Sequence, residues 1–216
     1  MESQDIHVFV FDGLSDWETG YAVAGINGPQ FQKQPGRYRI RTVAPHEGSV
    51  VTMGGIRIQP DLTLDALRPA DSAMLILPGG VAWDEGKHSE AVELARAFLD
   101  AGVPVAAICG ATAALARGGL LDDRRHTSNA LEYLAATQYR GAALYEDAPA
   151  VTDRNVVTAS GTAPLDFALH IFRLLDVYAP AVLDAWYNLF RTGRTEYFVA
   201  LMQAAGAQDE SEGTEA

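Results

Sequence analysis

Short apolar runs alternate with amphipathic stretches along this chain. Residues 6–11 (IHVFVF) are nearly all apolar, the pattern of a strand covered on both faces. Ser15 or Asp16 can cap a following helix that carries Trp17, Tyr21, Val23 and Ile26 and stops near Asn27 and Gly28. Residues 38–44 read as a second strand ended by Pro45, and residues 49–59, with Gly54 and Gly55 at the centre, as a small hairpin. A short helix is expected around residues 64–67, then a buried strand at 73–77 (AMLIL) running into Pro78, Gly79 and Gly80. Ser89 can cap a long helix that places Ala91, Leu94, Ala95 and Phe98 on one face and stops at Gly102. Residues 104–108 (PVAAI) predict another strand, 110–117 a helix, 156–159 a late strand, and 164–175 a further helix. Residues 179–205, rich in aromatic and aliphatic side chains, predict a final helical appendage.

Strands alternating with helices predict an α/β fold, a mostly parallel sheet with helices on both faces. No repeat, low-complexity stretch or linker interrupts it, so residues 1–205 are read as one domain. Residues 206–216 include Asp209, Glu210, Glu212 and Glu215 and are expected to form a disordered acidic tail. The net charge of −12 argues against a nucleic-acid surface, which needs clustered Lys and Arg, and against binding to anionic lipid. No apolar segment is long enough to span a bilayer, and no secretory signal pattern opens the chain, so a cytoplasmic location is expected. One cysteine excludes an intramolecular disulfide and a paired-cysteine zinc site. No metal and no cofactor are expected.

In open α/β sheets ligands gather at the carboxyl ends of the strands. Three such ends carry suggestive residues: Asp12 and Gly13 with Glu18 beyond, Pro78-Gly79-Gly80, and Ile108-Cys109-Gly110-Ala111. The third is the most informative. A cysteine between an apolar strand and a helix, followed by small residues, has the form of a nucleophile elbow. The helix start offers backbone N–H groups and a positive dipole end, which favour thiolate and can hold a developing oxyanion. The competing reading is a buried, inert cysteine packed as a small hydrophobe.

Four blocks together resemble the ThiJ/PfpI superfamily: residues 11–18 (FDGLSDWE), 75–80 (LILPGG), 106–109 (AAIC) and 158–161 (TASG). They stand in that superfamily's order over residues 6–175. The resemblance implies a flavodoxin-like three-layer sandwich, a homodimer, and a small-molecule substrate. It also assigns roles. Cys109 is the nucleophile, Glu18 the carboxyl that pairs with its sulfur, and Gly80 and Gly110 the sources of the oxyanion N–H groups. A neutral carboxylic acid can donate to thiolate, where a charged one would repel it.

The chain also departs from that pattern. Protease-like members place His directly after the cysteine, where this chain has Gly110, which weakens a protease assignment. Other members carry a Thr-Thr-His sequence after the next strand. Here Asn129 takes the matching position, and His126 falls three residues earlier. Asn129, Trp83 and His126 are candidate substrate-lining residues, with Asp84 beside Trp83 at the mouth of the site. Trp83 could equally be core packing, and His126 is read primarily as a structural strand residue. The stretch 126–129 (HTSN) with Trp186 and Tyr187 is similar to a bacterial subgroup of the superfamily. The expected function is a cysteine-dependent enzyme (a hydrolase, hydratase or glyoxalase-like lyase) adding to a carbonyl or carbon–nitrogen bond of a small electrophile. The alternative is a redox-sensing or stress-protective protein whose oxidisable thiol is Cys109. A glutaminase is disfavoured, because the only His after Gly161 is His170, inside a helix.

Overall fold

The structure, a computed structural model, describes residues 3–213, with side chains through residue 207. In chain order the elements are β1 (Gln4–Phe9), α1 (Asp16–Asn27), β2 (Tyr38–Ala44), β3 (Val50–Val51), β4 (Arg57–Ile58), β5 (Leu62–Thr63), β6 (Met74–Leu77), α2 (Ser89–Asp100), β7 (Val105–Ile108) and α3 (Gly110–Arg117). There follow α4 (Leu131–Ala135), β8 (Ala150–Asp153), β9 (Val156–Ala159), α5 (Pro164–Leu174), α6 (Pro180–Thr192) and α7 (Thr195–Gly213). Seven strands form one sheet in the order β5-β2-β1-β6-β7-β9-β8, parallel except for the edge strand β8. Helices α1 and α5 pack together on one face, while α2 and α3 lie against the β6–β7 side. This is the α/β sandwich that the strand–helix alternation implies, in the flavodoxin-like form that the resemblance implies, with α6 and α7 added at the end.

The central strands β6 and β7 have every side chain buried, which is why they read as continuous apolar runs. Parallel pairing sets the ends of β1, β6 and β7 side by side, so their following loops converge. The β3–β4 hairpin is held over this edge by Asp16, whose carboxylate accepts from Thr52 Oγ1 at 2.5 Å and from the Gly54 N–H at 2.6 Å. Those bonds, that of Thr52 first, hold the Asp16 carboxyl below its usual range. Asp16 therefore spends its side chain across the fold, and neither it nor Ser15 makes a side-chain helix cap.

Three expectations need revision. Residues 64–67 form a turn rather than a helix, because Leu62 and Thr63 extend the sheet beside Val43 and Ala44 instead. The strand expected to carry His126 is a single bridge to Tyr145. Strand β8 has no counterpart in the reading above. Its sequence, AVTD, is short and half polar, and only the tight return at Arg154 (φ 52°) brings it antiparallel onto β9.

The appendage is two helices. Trp186 of α6 packs on Phe172 and Tyr178, with ring centroids 5.1 and 6.3 Å away, and Leu201 of α7 is also buried. Phe190 and Phe198 remain about half exposed, at 50% and 51%. Helix α7 continues through Gly213, into the acidic segment expected to be a disordered tail; residues 214–216 lie outside the described residues. Among the described residues no helix is long and apolar enough to cross a membrane.

Candidate active site

Cys109 occupies the turn between β7 and α3 with φ 57° and ψ −125°, a conformation that costs an L-residue about 1–3 kcal/mol. Several bonds enforce it. The Cys109 N–H donates to the Ala159 carbonyl at 3.0 Å, continuing the β7–β9 ladder by one residue. Its carbonyl accepts from the Thr112 N–H at 3.0 Å and the Thr112 hydroxyl at 2.6 Å. The strained turn lifts the side chain out of the strand's line and leaves the thiol only partly buried.

Glu18 meets it from α1. Although it sits in a first helical turn, where acids are common at the surface, it is 1% exposed. Oε2 accepts from the Gly79 N–H at 2.5 Å, and Oε1 has no nitrogen or oxygen partner among the described residues. The Cys109 side chain faces this carboxyl, both groups bordering Gly79 and Gly161. Two glycines make the approach possible. A Cβ on Gly79 would lie 2.6 Å from Cys109 Cβ and 2.7 Å from Glu18 Oε2, and one on Gly161 would lie 2.7 Å from Cys109 Sγ. Both positions are closed to any larger residue.

Burial pushes the Glu18 carboxyl above its usual range, against the opposing Gly79 N–H. Burial also pushes the Cys109 thiol up, to about 11, and the neighbouring Glu18 charge adds to the shift, while the Asn129 amide and the Gly110 N–H oppose it. The lowered thiol pKa suggested by the helix start is thus reversed, because desolvation and a facing carboxylate outweigh one turn of dipole. Burial thus disfavours the charged form of both groups.

Asn129 completes the floor. Its Oδ1 accepts from the Gly161 N–H at 2.9 Å, which orients the amide and aims Nδ2 at Cys109 Sγ, 3.4 Å away. The Thr112 and Ser128 hydroxyls, 2.6 Å apart, tie the elbow helix to this segment. A cavity of about 560 Å³ opens above, and Cys109, Glu18, Gly80, Gly110 and Asn129 all line it. Asp84 lines it as well, so the structure brings together six of the eight residues singled out from sequence.

The other two lie elsewhere. Trp83 does not line the mouth. It is fully buried, its indole N–H donating to the Pro78 carbonyl at 2.8 Å and its ring packing edge-on against Phe11. His126 is buried too, with Nδ1 at 2.8 Å from the Arg124 carbonyl and Nε2 at 3.0 Å from the Tyr139 hydroxyl, and it does not reach the cavity. A ring engaged at both nitrogens among Tyr139 and Tyr145 is a structural residue. His170 contacts Thr152 on β8 and does not line the cavity. Among the described residues no group of three or more His, Cys, Asp or Glu could hold a metal ion.

The rim contains residues that the sequence reading did not assign. Tyr133 comes from α4, a five-residue helix too short to show a periodicity, and Met53 from the tip of the β3–β4 hairpin, which Asp16, Asp12 and the Met53 N–H bond to the Leu14 carbonyl hold here. Trp17 stands 54% exposed at the edge, its indole N–H donating to the Gly161 carbonyl at 3.2 Å. Gly79 and Gly161 stood out only as members of the blocks that carry the resemblance, and their steric role needs the fold.

An α/β sandwich with a thiol at a strained elbow, paired to a buried carboxyl, defines a class of cysteine-centred proteins. This chain belongs to the DJ-1/PfpI family, which it matches over residues 4–174. It is 42% identical over 205 residues to a Bacillus subtilis protein named uncharacterized protease YoaZ, covering 94% of this chain and 98% of that one. A crystal structure of a ThiJ/PfpI family protein from Bacillus anthracis superposes with a TM-score of 0.87 at 44% identity, covering 94% of this chain and 98% of that one. A shorter similarity, 39% identity over 88 residues, links 40% of this chain to 53% of a Pyrococcus furiosus protein named deglycase PfpI.

Proposed function

We propose that this protein is a cysteine-dependent enzyme that adds Cys109 to a carbonyl or carbon–nitrogen double bond of a small electrophile. The observation that carries the reading is the close approach of Cys109 and Glu18 around Gly79 and Gly161 at the floor of an open cavity. As sulfur bonds to the electrophilic carbon, the thiol proton passes to the Glu18 carboxylate and the carbonyl π pair moves to oxygen. The N–H groups of Gly80 and Gly110 face that oxygen, and the Glu18 proton then returns to it. A carboxyl raised by burial suits this exchange, since its proton affinity approaches that of the groups it serves. The deglycase and protease names carried by relatives are compatible with thiol chemistry at this position. The reading includes a cytoplasmic homodimer, which light scattering on the purified chain tests.

The pH profile of Cys109 alkylation by iodoacetamide, followed by intact mass, tests the core of it. If Glu18 takes the thiol proton, the wild type reacts at pH 6–8 about tenfold faster than Glu18→Gln, with a second rise toward pH 11. A single rise near pH 11 in the wild type, or a Glu18→Gln variant as fast at neutral pH, overturns the reading. Cys109→Ala and Cys109→Ser are expected to abolish turnover while folding normally.

One observation favours a second reading, a redox sensor without turnover. The Asn129 amide and the Gly110 N–H that face Sγ could also bind the oxygens of a sulfinate. Mass gains of oxygen on Cys109 under mild peroxide, with no turnover of any carbonyl substrate, would select it.

A further inference from the structure

The floor of the cavity resembles what the superfamily implies, but at its mouth Asp84, which the sequence placed there, meets Tyr133, and nothing above assigns that pairing. Asp84 lies just past the Gly80 turn, and Tyr133 lies on α4. The Tyr133 hydroxyl donates to Asp84 Oδ1 at 2.5 Å, and both side chains line the cavity that holds Cys109. Burial, and after it the Asp84 contact, pushes the Tyr133 phenol well above its ordinary range, so its proton stays committed to Asp84. The phenol oxygen and the outer carboxylate oxygen are then left as acceptors. Arg117 also acts on Tyr133, but its guanidinium bonds the Trp83 carbonyl at 3.2 Å and it is not a lining residue.

The rest of the lining agrees. It contains Glu18 and Asp84 as ionisable oxygen acids and no Lys, Arg or His. The indole of Trp17 adds an exposed aromatic face at the rim. A carboxylate group beside the Asp84–Tyr133 pair meets acceptors and no cation, whereas an ammonium, amide N–H or hydroxyl finds partners there.

We infer that Asp84 and Tyr133 form a recognition pair that selects small electrophiles bearing a cationic or neutral hydrogen-bond donor and rejects anionic ones. This deepens the nucleophile reading and rests on it. The two groups line the same cavity as Cys109, whose charge also acts on Tyr133, so they set which molecules reach Cys109.

Two methanethiosulfonate reagents of opposite charge, the 2-aminoethyl and the 2-sulfonatoethyl, test it. In each, the Cys109 thiolate bonds to the thio sulfur and the S–S bond breaks to release methanesulfinate. Because Cys109 is the only cysteine, intact mass reports it alone. Rates are normalised to the urea-unfolded chain and measured in about 0.5 M salt, where the Debye length of roughly 4 Å screens the protein's overall negative charge. The expected native preference for the ammonium reagent is tenfold or more beyond that of the unfolded chain. Asp84→Asn should cut it at least threefold, and Tyr133→Phe should cut it less. A native ratio within twofold of the unfolded one, or a ratio unmoved in Asp84→Asn, overturns the inference.

If neither reagent labels the native chain, the nucleophile reading fails by itself. Recognition is then decided by Trp17 fluorescence in Cys109→Ser titrated with ethylammonium or propionate, with Trp17→Phe as the blank. Quenching by ethylammonium alone that weakens in Asp84→Asn supports the pair. Equal response to both ions overturns it.

Discussion

The floor and the rim of the cavity are built on different terms. At the floor, Cys109, Glu18 and Asn129 are locked by backbone bonds and by two glycines whose missing side chains leave room for sulfur and carboxyl. At the rim, Trp17, Met53 and Val81 are each at least half exposed and drawn from three separate segments. The floor thus has little freedom to vary, while the rim can change without disturbing the fold. The comparison teaches that packing fixes the side chains of the dense part, while those of the loose part are held by few contacts.

The most damaging way to break the floor is Gly161→Ala, whose methyl would sit 2.7 Å from Cys109 Sγ. A loss of Cys109 alkylation of about 100-fold or more is expected, together with about 1–3 kcal/mol of overpacking strain seen as a lowered urea midpoint. His126→Ala provides the opposite control. It should cost about 1–3 kcal/mol, by leaving buried partners unsatisfied, and leave the labelling rate of the folded protein unchanged. Equal damage to labelling would place His126 in the chemistry after all.

Smaller changes sharpen the contrast. Asn129→Ala removes a group that lowers the thiol pKa, so the labelling profile should move to higher pH, with a several-fold loss at pH 8. Cys109→Gly relieves the positive φ. Compared with Cys109→Ser it should raise Tm by about 2–4 °C, the equivalent of about 1 kcal/mol in a chain of this size. The subtlest test follows the Glu18 proton. A carboxyl whose folded pKa is raised stabilises the fold below its unfolded value, and that contribution is lost as pH rises through the folded pKa. Glu18→Gln should therefore gain stability over the wild type at pH 8 and not at pH 4, measured by denaturant melts at both values.

Much of this molecule was legible along the chain. The apolar runs marked the central strands because such strands are covered on both faces, and the turn residues at the ends of β6 and β7 marked where chemistry could gather. Cys109 and Glu18 stood out by residue type and position, and Asn129 by its place in the pattern. What the chain could not show were properties of approach. Trp83 and Asp84 are adjacent, yet one is sealed in the core and the other opens onto the cavity. His126 and Asn129 share one loop, yet only Asn129 reaches the sulfur.

The sequence by itself therefore determined the order of the elements, the parallel sheet and the elbow, since these follow from hydrophobic periodicity and local backbone sterics. Tertiary structure alone decided the proton affinity of Cys109, the steric duty of Gly79 and Gly161, and the meeting of Tyr133 with Asp84. Those depend on desolvation and on distances between segments many residues apart, and the folded chain sets both.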